Sequence, residues 1–146
     1  MAIISHIPVR RAGLKHLATI AAVTKIVPAS RHYPMVVANP NWPFIRWGRP
    51  ASTMLRATCL DGSVIGVAVH GFAKARFNVA GAMIETAEDH AGRLEAALAG
   101  AFDSLRLDIP RGHTKFAVTS TQLLEDGAEA DAFHCVVNLR IRCITN

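Results

Sequence analysis

The chain has 146 residues, 51% hydrophobic and only 18% charged, against roughly 25% charged in an average soluble domain. That length asks for one core, and the apolar surplus is expected to be buried against other subunits, which argues against a solitary, highly solvated protein. The 16 Lys+Arg exceed the 11 Asp+Glu, giving +5 without a polybasic run, so contact with nucleic acid or an acidic partner is compatible but not required.

No apolar run approaches the roughly 18 residues of a membrane-spanning helix, and residues 1–7 are too short an apolar stretch for a secretory leader. A soluble protein made in the cytoplasm is expected. Residues 8–26 place Leu14, Leu17, Ile20, Ala21 and Val23 at helical spacing opposite Arg10, Arg11, Lys15 and Lys25, which predicts an amphipathic helix that Pro28 stops. Residues 28–50 hold Pro34, Pro40, Pro43 and Pro50 and are expected as an extended loop. Inside it, Phe44-Ile45-Arg46-Trp47-Gly48 has β character and can form one short edge strand.

Residues 54–72 read as a hairpin turning at Asp61-Gly62, a pair suited to the positive φ values of a tight turn. In its second strand Ile65, Val67 and Val69 share one face and Gly66, Ala68 and His70 the other. The small residues suggest a face that another backbone or helix approaches closely. Residues 86–105 form the strongest helix, opened by Thr86 as cap with Glu88 and Asp89 at the positive end of the dipole, and slim through its alanines. Residues 116–124 and 133–145 are strand candidates separated by a Glu125-Asp126-Gly127 turn; in the last, Val137, Leu139, Ile141 and Cys143 alternate with Asn138, Arg140 and Arg142. The order predicts a single α+β domain over 1–146: a small antiparallel or mixed sheet of about four to five strands, two main helices packed on one face, and long loops.

Seven histidines invite a search for chemistry. His6, His16, His32, His70, His90, His113 and His134 are scattered without HExxH spacing, and His134 and Cys135, adjacent in a strand, point to opposite faces, so they cannot both join His70 around a metal without a bulge. Neither a GxSxG elbow nor a phosphate-binding glycine loop occurs. Cys59, Cys135 and Cys143 lack metal or redox spacing and are expected to be buried free thiols. No catalytic, cofactor or metal residue is assigned. Aromatics in a proline-braced loop often anchor a partner, so Trp42, Phe44, Arg46 and Trp47 are candidates for partner contact, with burial against the chain's own sheet as the alternative for the tryptophans. Arg140 and Arg142 are candidates for a DNA-facing or simply polar sheet face; Arg10, Arg11, Lys15, Arg46 and Arg49 are the other clustered positives.

In order along the chain, Pro43-Phe44-Ile45-Arg46-Trp47-Gly48, the Asp61-Gly62 segment running into Val67-Ala68-Val69-His70-Gly71-Phe72, the helix from near Thr86, and Asp126-Gly127 leading to Asn138-Leu139-Arg140-Ile141-Arg142 resemble the tail-completion, or tail-terminator, proteins of tailed bacteriophages, prophages and gene transfer agents. The resemblance implies a virion protein of the tail or neck, without cofactor or active site. Its copies would form a hexameric ring that caps the tail tube, stops its polymerisation and joins it to the head connector, with DNA passing through the lumen. Residues 72–85 and 29–43 are candidate arms towards neighbours. The competing readings are a head–tail connector or stopper subunit, a basic DNA-binding regulator, and a small hydrolase or metal enzyme.

Overall fold

The computed structural model describes residues 6–57, 60–129 and 131–145. Along these the chain forms the helices α1 (His6–Leu17), α2 (Ala21–Thr24) and α3 (Ala87–Phe102). The strands are β1 (His32–Tyr33), β2 (Phe44–Trp47), β3 (Ala51–Ala57), β4 (Leu60–Lys74), β5 (Arg76–Phe77), β6 (Met83–Glu85), β7 (Arg106–Ile109), β8 (Gly112–Glu125) and β9 (Ala132–Thr145). Seven strands build one sheet in the order β1-β2-β4-β9-β8-β7, with β3 also on β4, and β5 pairs with β6 in a separate two-stranded ribbon. The α+β class is as expected, but the sheet is larger than four to five strands and a third, short helix is present.

All three helices cover one face of the sheet. Val9 and Leu17 of α1, Val23 of α2, and Leu94, Leu98 and Phe102 of α3 share a core with the inward side chains Ile45, Trp47, Ile65, Val67, Val69, Phe116, Val137, Leu139 and Ile141. The alternation expected in β9 is present, with Val137, Leu139, Ile141 and Cys143 buried and Arg140 and Arg142 exposed. Thr86 caps α3, its Oγ1 accepting from the Asp89 amide at 3.1 Å. Two glycines let the layers meet. A Cβ on Gly13 of α1 would sit 2.7 Å from the Trp47 ring, and one on Gly71 of β4 would sit 2.6 Å from both the Leu94 side chain and the Cys135 sulfur. The close approach is thus at Gly71, on the face of the large residues. Gly66, on the face where sequence placed it, has only the Ala51 carbonyl nearby, at 3.9 Å.

Several boundaries differ from the sequence reading for identifiable reasons. The helix over 8–26 is two: Thr19 Oγ1 donates to the His16 carbonyl at 2.6 Å and Ile20 is extended, a β-branched pair that ends α1 before α2 restarts. Asp61-Gly62 is not the turn. Asp61 pairs with Arg56 and Gly62 with both Leu55 and Ile144, so two ladders hold the dipeptide inside β4 and the connection passes through residues 58 and 59, outside the described residues. Helix α3 ends at Phe102, not at 105, because the Asp103 carboxylate accepts the Val118 amide at 3.2 Å and the Leu105 carbonyl accepts that of Phe116 at 2.8 Å. The four-residue β7 follows, hairpinned onto a β8 that starts at Gly112. Finally, β2 and β3 lie end to end along one side of β4, and β1 runs parallel to the outer side of β2, so β2 is not an open edge.

Candidate assembly surfaces

The segment after β4 leaves the sheet as an arm. β5 and β6 pair, and Asn78 shapes the tip: its amide donates to the Ala82 carbonyl at 2.8 Å, its side-chain oxygen accepts from the Ala82 amide at 2.9 Å, and Gly81 takes a positive φ of 86°. The base is clamped to α3. Arg93 donates to the Glu85 carboxylate twice, at 2.7 and 2.8 Å, and Arg76 adds a third bond at 3.2 Å. These bonds, chiefly those from Arg93, hold the Glu85 carboxyl down to about 2. His90 ties the same region to the sheet, its Nδ1 donating to the Lys74 carbonyl at 2.8 Å. Phe77, Val79, Met83 and Ile84 are left exposed along the arm.

The sheet face away from the helices carries a row of rings set by register. Phe44 pairs with Phe72 and Phe72 with His134 across β2, β4 and β9. Their rings stack, with centroids 4.5 Å and 4.2 Å apart. Trp42 meets Phe44 edge-on at 5.1 Å, Lys74 Nζ lies 4.5 Å over the Trp42 ring, and the Arg46 guanidinium lies 5.5 Å over Phe72. Beside the row, His70 Nδ1 and His134 Nε2 share a hydrogen bond of 2.7 Å, one ring donating and the other accepting. Burial first, then the Arg46 charge and His134, pull His70 down to about 4; burial and Arg46 also lower His134. Tyr33, Val36, Val37 and Pro40 lean over Phe44 and Phe72 to form an apolar cleft of about 100 Å³.

Farther along this open face, Arg140 and Arg142 of β9 are exposed, and Arg142 pairs with Lys115 of β8. Arg140 and Arg142 line a shallow depression with Lys115 and Ala117. By register, Arg46, Arg106 and Asp108 share the face, and at its other end Lys74 pairs with the Glu129 carboxylate at 3.3 Å.

The four candidate contact residues are therefore divided. Trp47 is packed in the core against Gly13 and, at 5.9 Å, Phe102; Phe44 is buried in the ring row; Trp42 and Arg46 are half-buried beside the cleft. Three of the seven histidines brace backbone: His16, His32 and His90 lie 3.1 Å, 2.9 Å and 2.8 Å from the carbonyls of Ala101, Val27 and Lys74. Among the described residues no three His, Cys, Asp or Glu side chains gather in a way that could hold a metal, and no helix is long and apolar enough to cross a membrane. Cys135 and Cys143 are buried free thiols, and burial pushes Cys135 up to about 12; Cys59 lies outside the described residues. The arm, the cleft and the histidine pair have no signature in the one-dimensional sequence beyond the unusual length of residues 72–85.

The sequence pattern of the family described as tail completion protein gp17 matches residues 12–144. Among solved structures, a chain from a virion of a native gene transfer agent particle is similar in fold, with a TM-score of 0.74 over 94% of this chain and 95% of that one, at 16% identity. No curated protein matches by sequence. With the family pattern spanning nearly the whole chain, the chain belongs to the tail completion protein gp17 family, structural proteins of phage tails.

Proposed function

We propose that the whole chain acts as one tail-terminator domain. Copies close into a ring, six in number, that caps the tail tube, stops its polymerisation and presents its far side to the head connector. Family membership supplies the tail; the observation that supports assembly is the exposed apolar arm, since the largest apolar patch of a small protein is often an interaction site. A ring needs two different surfaces on each subunit, and the arm over residues 72–85 and the proline-braced segment over 29–43 supply candidates. In this reading Trp42 and Arg46 meet a neighbour, while Phe44 and Trp47 brace them from behind. Arg140 and Arg142 face the lumen, where their charges accompany DNA.

Electron microscopy of the purified protein, alone and with tail tube, tests the proposal. Rings at the tube end are expected; a protein that stays monomeric in both conditions overturns it.

The basic open face of Arg140, Arg142 and Lys115 favours one second reading, a DNA-binding regulator. That reading requires binding to free duplex whose affinity falls steeply with salt, and flat salt dependence removes it.

A further inference from the structure

We infer that the arm of one copy seats in the cleft of the next, so that each subunit-to-subunit contact is head to tail. The inference rests on the ring reading and names its contact. Phe77, Val79, Met83 and Ile84 are 55%, 109%, 53% and 55% exposed, so Val79 is fully open to solvent and the other three are more than half open. At roughly 150–200 Å² for a fully exposed large apolar residue, the arm displays about 400–500 Å². Around the cleft, Met35, Val36 and Val37 are 60%, 72% and 39% exposed, which adds about 300 Å² on the same scale. One arm against one cleft rim would cover at most about 700–800 Å² of residue surface, because Met83 and Ile84, adjacent in β6, point to opposite faces of the ribbon. A standard interface of about 1,600 Å² is a little over half apolar, or roughly 900 Å², so these two patches supply a substantial part of the requirement of one stable contact.

The two patches also differ in shape. The arm is convex, a two-stranded ribbon held at its base by Glu85, Arg76 and Arg93. The cleft is concave, and its volume of about 100 Å³ equals roughly three waters, room for one aliphatic side chain such as Ile84 or Val79. A knob and a socket on different parts of one chain can pair reciprocally about a two-fold axis, but in the ring reading each arm serves only the next copy. Such contacts join copies in a row, and the row closes into a ring when the rotation allows. The occupant is therefore a second copy of this chain.

The test uses two variants with substitutions at exposed positions, Ile84→Asp on the arm and Val36→Asp on the cleft rim, with wild type as reference, in analytical ultracentrifugation and native mass spectrometry. Each variant alone is expected to lose association by at least about 30-fold, because a carboxylate would be desolvated in an apolar contact. Circular dichroism and thermal melting matching wild type establish that each is folded. The decisive sample is the mixture. The cleft variant still has an arm and the arm variant still has a cleft, so equal amounts should yield a two-chain species and nothing larger. Wild-type assembly by both single variants, or no two-chain species in the mixture, overturns the arm-to-cleft contact while leaving the ring intact. A wild type that is monomeric alone and with tail tube overturns the ring reading itself, and this contact with it.

Discussion

Lowering the pH from 7 to 5 should destabilise this protein through the His70–His134 pair. In the fold His70 titrates at about 4 and, once unfolded, near 6.5, so between those values the unfolded chain binds the extra proton. Stability is therefore full above pH 6.5 and falls as the pH drops towards 4. Carried to completion, the gap corresponds to at most about 3.4 kcal/mol; the ring is half-buried, and solvent screening reduces this to about 1–2 kcal/mol, of which about 1 kcal/mol is lost by pH 5. His134 acts with the same sign, being lowered by burial and by Arg46. His32, also lowered by burial, adds a background in the same direction. A His70→Gln variant isolates the pair, because its stability should depend less on pH. The assay is urea unfolding at pH 7 and 5, where a loss of about 1 kcal/mol moves the wild-type midpoint down by about 0.5 M, alongside an NMR titration of the imidazole signals. A His70 signal titrating near 6.5, or equal pH slopes for wild type and variant, would refute the reasoning.

Three further perturbations have definite outcomes. Gly71→Ala pushes a methyl against Leu94 and Cys135 in a closed core and should cost about 1–3 kcal/mol; in a double-mutant cycle Leu94→Ala should recover part of that cost, and strict additivity contradicts the packing described. Glu85→Gln removes the charge that binds Arg93 and Arg76, so limited proteolysis within residues 76–85 should quicken while global stability falls by about 1 kcal/mol or less; unchanged cleavage means that the clamp does not hold the arm. Arg111, at φ 68° after Pro110 in the β7–β8 turn, occupies a position where glycine carries no Cβ strain, so Arg111→Gly should raise the denaturation midpoint by the equivalent of about 0.5–1 kcal/mol, and a lower midpoint would count against this turn geometry.

The elements legible in sequence were those whose local chemistry and long-range pairing agree. Thr86 followed by Glu88 and Asp89 announces α3, and the alternation from Val137 to Cys143 announces β9, because cap and pleat are local properties that the core then rewards. Asp61-Gly62 misled because a strong turn dipeptide was overruled by pairing with β3 on one side and β9 on the other, an effect visible only once residues about 80 apart are adjacent. β7 escaped notice because its two inward residues, Leu107 and Ile109, are too few to establish a period. Of the candidate contact residues, Trp42 and Trp47 looked alike in the proline loop, yet the pleat sends Trp47 under Gly13 to the helix side, whereas Trp42 precedes β2 and borders the ring row. The stacked Phe44, Phe72 and His134 come from three distant segments, so only register could reveal them.

Native mass spectrometry of the purified chain, paired with electron microscopy of the same sample mixed with tail tube, addresses ring assembly most directly. A closed species of six 15.7 kDa chains, seen as a ring at the tube end, is the expected result. A monomer in both preparations would contradict it.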